Sequence, residues 1–233
     1  MTQKIVVFGS DSDIAKSFIQ KAREQNYTIF TVSRSNDSNY PVEDISSFEQ
    51  VEQAMKVALE NFGEINGVVN FCGSVLLKPA HLVSFEDYMK TINSSLTKSF
   101  AVVRAAAKCV KQNCSVVLIG SAAASIGLAN HEAIAATKGG VIALAKSAAA
   151  TYAPKGIRFN VINPGLIDTK LTSKIVQNQE SLKYSLSMHA SERAGCVDDI
   201  ANMVMFLFNP QNNWITGSEF NIDGGLSSVK IKR

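Results

Sequence analysis

Gly9-Ser10-Asp11-Ser12-Asp13-Ile14-Ala15 stands between a short apolar run and a stretch of helical spacing, where a turn can bind an anion. A helix that opens directly after a strand offers unpaired N–H groups and the positive end of its dipole to a pyrophosphate. Gly9 suits the tight turn, and the small Ala15 lets helix pack on strand. From this segment alone, an ordinary strand–helix turn with Asp as N-cap is the alternative. The next strand ends Thr31-Val32-Ser33-Arg34-Ser35, without the carboxylate that would accept from a ribose 2′-hydroxyl. Arg34 can instead pair with a 2′-phosphate through its guanidinium fork, which favours NADP over NAD; a solvated loop arginine is the other reading. Further on, His131, Ile134 and Lys138 are three and four residues apart and share one face of a helix. An imidazole there can exchange a proton near neutral pH, or merely cap the helix or face solvent. Glu132 points roughly a quarter-turn away. Ser121 follows a buried strand and falls at a sheet's carboxyl edge.

Positioning these groups takes strands alternating with helices from end to end. Apolar runs at 5–8, 27–32, 68–71, 115–119, 158–162 and 219–222 read as strands. Helical spacing covers Ile14 to Ala22, Phe48 to Leu59, Phe85 to about Lys111, Ala133 to Tyr152 and Ile200 to Phe208. Continuous apolar strands separated by helices predict a parallel sheet covered on both faces. Right-handed crossovers then make a doubly wound, Rossmann-type α/β fold with its ligand crevice at the strands' carboxyl ends. No Pro/Gly/Ser linker divides the chain, so 1–233 reads as one domain.

Composition narrows the function classes. The net charge is +3, and charged residues make up 18% against roughly 25% in an average domain. Without a dense Lys/Arg block the chain is not expected to bind nucleic acid. The basic tail Lys230, Lys232, Arg233 reads as a solvated terminus. The chain opens on a strand-like run with no signal-peptide pattern, and no stretch is apolar enough for a membrane helix. Cys72, Cys109, Cys114 and Cys196 form no CxxC pair and no zinc spacing, so reduced thiols in the cytoplasm and no metal are expected.

Several segments then resemble one family. Asn70-Phe71-Cys72-Gly73 is similar to the Asn-Asn-Ala-Gly turn of the short-chain dehydrogenases/reductases, and Asp44-Ile45 falls where that family contacts adenine. Asn163-Pro164-Gly165-Leu166-Ile167-Asp168-Thr169 resembles its Pro-Gly loop, whose Ile167 and Thr169 positions would meet the nicotinamide carboxamide. Residues 193–200, Thr216-Gly217 and Asp223-Gly224-Gly225 match its C-terminal segments. The resemblance runs from Lys4 to about Gly225.

It implies hydride transfer between a nicotinamide and a carbonyl compound or secondary alcohol. Ser121 would orient the substrate, and Lys138 would hold the nicotinamide ribose. Cys72 would lie beside the nicotinamide as a small buried hydrophobe. Four positions depart from the family. Asp13 and Ala15 replace the second and third glycines of the phosphate loop, Ser95 stands at the catalytic Asn, and Ile134 stands at the catalytic Tyr. Isoleucine has no exchangeable proton, and losing a general acid costs about 10²–10⁴ in rate. His131, one turn away, is the candidate replacement. Residues 170–190 would form the substrate lid, with Met188 and His189 as candidates to face the pocket. The Ala-rich helix and its predecessor would pair copies into a homodimer or homotetramer. The competing readings are a catalytically silent dinucleotide-binding sensor or structural partner, and a lyase that uses the cofactor only structurally.

Overall fold

Side chains alternate faces along a strand, so each apolar run feeds two cores at once. In β1 (Lys4–Phe8), Ile5 and Val7 enter one core while Val6 and Phe8 enter the other, all four fully buried. The remaining strands are β2 (Thr28–Ser33), β3 (Tyr40–Pro41), β4 (Gly67–Asn70), β5 (Cys114–Ile119), β6 (Ile157–Pro164) and β7 (Glu219–Ile222). They form one parallel sheet of seven strands in the order β3-β2-β1-β4-β5-β6-β7. This computed structural model describes residues 2–230 and 232; Lys230 and Lys232 of the basic tail are exposed, and Arg233 lies outside the described residues.

Helices α1 (Asp13–Glu24) and α8 (Val197–Phe208) cover one face of the sheet. The other face carries α2 (Phe48–Phe62), α4 (Lys98–Cys109) and α5 (Glu132–Tyr152). Three helices start on a serine whose Oγ accepts an N–H three residues on: Ser12 for α1, Ser47 for α2, and Ser84 for α3 (Phe85–Ile92). Helix α2 stops at Gly63, whose φ of 74° continues no right-handed helix. Fully buried Phe8, Phe18 and Phe159 each contribute about 1.5–3 kcal/mol of hydrophobic stabilisation.

Three features depart from the sequence expectation. The edge strand β3 has no apolar run; the Asn39 side chain sets it instead by accepting from Thr31 N and Oγ1 at 2.8 and 2.9 Å. The expected helix from Phe85 is interrupted between α3 and α4 by a π-turn at Asn93–Thr97, which buries Ser95 and leaves Asn93 exposed. The expected lid contains two helices, α6 (Ser173–Val176) and α7 (Gln179–Met188).

From β1 the chain builds outward to β3, then returns past β1 to start β4 and builds the other way. Loops leaving β1 and β4 therefore diverge, and a crevice opens between them at the carboxyl edge.

Candidate functional site

That crevice is a cleft of about 480 Å³. Its walls are the turn at 11–14, the turn at 71–75 after β4, and the segment 164–172 after β6. The turn after β4 is shaped from beneath: buried Asn70 accepts the Cys72 N–H through Oδ1 (3.0 Å) and donates through Nδ2 to Ser99 Oγ (3.2 Å). Gly9 has a φ of 72°, and a Cβ there would lie 2.8 Å from Cys72 Sγ. Only glycine allows these two turns to approach. Gly9, Ser10 and Asn70 thus shape the cleft without lining it, whereas Ser12, Asp13, Ile14, Cys72, Gly73, Pro164, Gly165, Ile167 and Thr169 line it.

Ser12, rather than an aspartate, caps α1, accepting from Ala15 N–H at 3.2 Å. Asp13 turns away from the helix end, and its Oδ2 accepts the backbone N–H of Lys170 at 2.8 Å. One carboxylate thereby ties the turn at 11–14 to the segment after β6.

The cleft floor is electrostatically mixed. Burial pushes the Cys72 thiol up to about 11, opposed by Lys98, Lys138 and Arg34 and reinforced by Asp11. The lining itself balances, Asp11 and Asp13 against Lys138 and Lys170, with Lys98 acting on Cys72 from α4. Lys98 was not singled out in the sequence, because nothing local ties a residue on α4 to the turn after β4. Buried Lys138 donates from Nζ to Ile119 O at 2.8 Å, and burial lowers it to about 8. Ser95 Oγ is fully buried with no hydrogen-bond partner. A Cβ on Gly73 would sit 3.8 Å from Ser95 Oγ and 3.4 Å from Lys138 Nζ, so both polar groups flank this glycine. Ser121 Oγ accepts from Ala123 N–H at 3.2 Å, which leaves its own proton to donate.

Ser33, Arg34, Asp44 and Ile45 lie outside this cleft, Ser33 as the last residue of β2 and the others beyond the ends of β2 and β3. Arg34 is exposed and has no ion pair among the described residues. Asp44 is exposed and held below the usual carboxylate range chiefly by a hydrogen bond from Ser46. Ser33 is buried, with its Oγ accepting from Ser35 N–H at 3.1 Å. Ile45 is 4% exposed, its side chain packed in the core with Val42 and Val51. That side chain has no surface to offer a ligand.

A second cavity, of about 370 Å³, adjoins the first. Ser121 and Ile134 line both. His131 lines the second, half-buried; it makes no side-chain cap to α5, and its Nδ1 bonds Ala129 O at 2.7 Å. Glu132 is exposed and lines neither cavity. Met188 and His189 line the second cavity, as does Tyr184 of α7, which sequence spacing gave no reason to select. His189 is 2% exposed, its Nδ1 bonded to Ser185 O at 2.8 Å and its Nε2 accepting the Leu166 N–H at 3.3 Å. This histidine fastens the end of α7 to the loop after β6. Among the described residues no cluster of His, Cys, Asp or Glu is arranged to hold a metal, and no helix is long and apolar enough to cross a membrane.

A family profile described as Enoyl-(Acyl carrier protein) reductase matches residues 13–227. L-rhamnose-1-dehydrogenase of Scheffersomyces stipitis is 33% identical over 186 residues, which span 78% of this chain and 72% of that protein. The chain belongs to the short-chain dehydrogenase/reductase family. A second relative of this short-chain dehydrogenase/reductase is the 3-oxoacyl-[acyl-carrier-protein] reductase FabG of Buchnera aphidicola, 31% identical over 78% of this chain and 75% of that protein. Among solved structures, ElxO with NADP bound superposes with a TM-score of 0.90 at 26% identity, covering 98% of this chain and all of that one. The residues present here fit a pyridine dinucleotide: the N-terminus of α1, a glycine where two turns approach and Lys138 stand along one cleft.

Proposed function

We propose that this short-chain, NAD(P)-dependent oxidoreductase prefers NADP and moves a hydride between the nicotinamide and a carbonyl compound or secondary alcohol through an altered proton-transfer site. The observation that carries the reading is the junction of the two cavities at Ser121 and Ile134, with Lys138 on the inner side and His131 on the outer.

When bound, the dinucleotide supplies or accepts the hydride. Lys138, charged at neutral pH and fixed on Ile119 O, holds the nicotinamide ribose. Ser121 donates to the substrate oxygen. His131 commits its Nδ1–H to Ala129 O, so Nε2 is the atom that takes up a proton and, once protonated, can give it. In reduction His131 Nε2 would give that proton to the substrate oxygen, and in oxidation it would take the proton back. Ile134, standing where the family has its tyrosine, has no proton to give. Ser95 contributes a buried hydroxyl behind Gly73.

Arg34 pairs with a 2′-phosphate, which favours NADP over NAD, and Asp44 marks the adenine end. The chain acts as one domain in the cytoplasm, with 170–190 as its substrate lid. Copies associate as a homodimer or homotetramer through α4 and α5, supported by exposed Phe100 on α4 and exposed Ala136 and Ala143 on α5. Fluorescence titration with NADPH and NADH, followed by NADPH oxidation against a carbonyl panel, tests the reading. Expected are tighter NADPH binding and turnover that His131→Ala abolishes. Binding without oxidation across the panel would establish a silent dinucleotide-binding protein instead.

A further inference from the structure

The outer cavity differs from the inner cleft in charge. Asp11, Asp13, Lys138 and Lys170 line the inner cleft. Among the described residues that line the outer cavity there is no Asp, Glu, Lys or Arg. Neither imidazole fills that gap readily: His189 spends Nδ1 on Ser185 O and Nε2 on the Leu166 N–H, and His131 commits Nδ1 to Ala129 O. Val75, Leu77, Leu128, Ile134, Met188 and Leu226 supply hydrocarbon from five separate stretches of wall. Ser121 and His131 bring polar atoms to the wall shared with, or next to, the inner cleft, where a carbonyl oxygen belongs. Ser181 and Ser185 belong to α7, which has no buried residue.

A carboxylate or phosphate placed there loses its hydration and meets no permanent counter-charge, since His131 carries one only while it holds the proton destined for the substrate oxygen. Asn130, Thr172, Ser181, Tyr184 and Ser185 also line the cavity and can pair with some of a polyol's hydroxyls, while those set against the six hydrocarbon side chains stay unpaired. A hydrocarbon body gains by leaving water.

We propose that the outer cavity selects uncharged carbonyl compounds with a mainly hydrocarbon body and rejects carboxylate-bearing and polyhydroxylated analogues. This rests on the inner cleft being the dinucleotide site. Selection is set by the walls, with Ile134 adding a methyl-lined surface beside Ser121 and Met188 closing the cavity from the lid.

The test uses the full chain saturated with NADP⁺ and probes of matched length. NADP(H) binding is measured first by fluorescence. Binding of 2-octanone, 7-oxooctanoate and L-rhamnose is then followed by saturation-transfer NMR. The ketone is expected to bind at least about tenfold tighter than the keto acid, a difference of about 1.4 kcal/mol, and tighter than the sugar. Met188→Lys places an ammonium in the wall and is expected to reverse the order of ketone and keto acid. Leu128→Lys repeats the test from outside α7. Equal affinities, or preference for the keto acid or the sugar in the wild-type protein with NADP bound, overturn this inference alone. Absence of NADP(H) binding overturns the dinucleotide reading and this inference with it.

Discussion

Replacing Lys138 with methionine removes a buried ammonium and keeps a side chain of similar length. The drop from 10.5 to about 8 that burial imposes corresponds to about 3 kcal/mol against the charged form. Methionine forfeits the hydrogen bond to Ile119 O, about 1 kcal/mol. Lys138→Met is therefore expected to be about 2 kcal/mol more stable than wild type at neutral pH, or about 5 °C in melting temperature. The pH dependence supplies the sharper check. Between about 8 and 10.5 the native lysine has lost its proton while the unfolded one keeps it, so wild-type stability rises with pH across that window. The penalty has fallen to about 1 kcal/mol by about pH 9.5, and the advantage of Lys138→Met should then disappear. Urea denaturation of both proteins across this range measures it, and groups common to both largely cancel in the difference. NADPH titration of the variant should show binding weakened at least tenfold, since a buried cation that costs stability is retained for what it holds. A wild type that matches or exceeds the variant at neutral pH, with a difference that stays flat as pH rises, would falsify the reasoning.

Four further outcomes are expected. Ile134→Tyr, which puts a phenol between the cavities near Lys138, should raise carbonyl turnover by about 10²–10⁴ in an NADPH-oxidation assay; no gain would show that more than a proton donor is missing. Arg34→Glu should weaken NADPH binding tenfold or more while leaving NADH binding nearly unchanged, since a charge-assisted hydrogen bond is worth about 1.5–3 kcal/mol; equal losses for both nucleotides count against a 2′-phosphate partner. Gly9→Ala forces a side chain into a φ of 72° and toward Cys72 Sγ, so it should cost at least about 1–2 kcal/mol by urea denaturation. Glu52 is held down to about 2 by Lys108, Lys56 and Arg104, so its contribution is present above 4.5 and lost as pH falls toward 2; Glu52→Gln should lower the melting temperature at neutral pH and flatten that acid limb.

Strands buried on both faces are legible because the sheet leaves them no polar side, as Ile5 through Phe8 and Val116 through Leu118 illustrate. The turn at Gly9 and the shared face of Ile134 and Lys138 were legible for a local reason: glycine and helical periodicity act over a few residues. What stayed hidden depends on distant partners. The edge strand β3 follows from the clamp between Thr31 and Asn39, and no apolar pattern announces it. The role of His189 comes from Leu166, 23 residues away, and Lys98 joins the site only through a packed helix. Tyr184 sits on a helix with no buried residue, so no amphipathic stripe marked it. That the Ile45 side chain packs in the core with Val42 and Val51 was likewise not marked by any periodic run.

The bond from Asp13 to the backbone of Lys170 spans 157 residues. During synthesis the nucleotide turn emerges early, yet its clasp is made only after six of the seven strands have left the ribosome. A chain ending before residue 170 would carry the whole turn sequence without the partner that holds its Asp13 carboxylate. Two walls of one cleft are therefore joined only when segments from the beginning of the chain and from beyond β6 have come together.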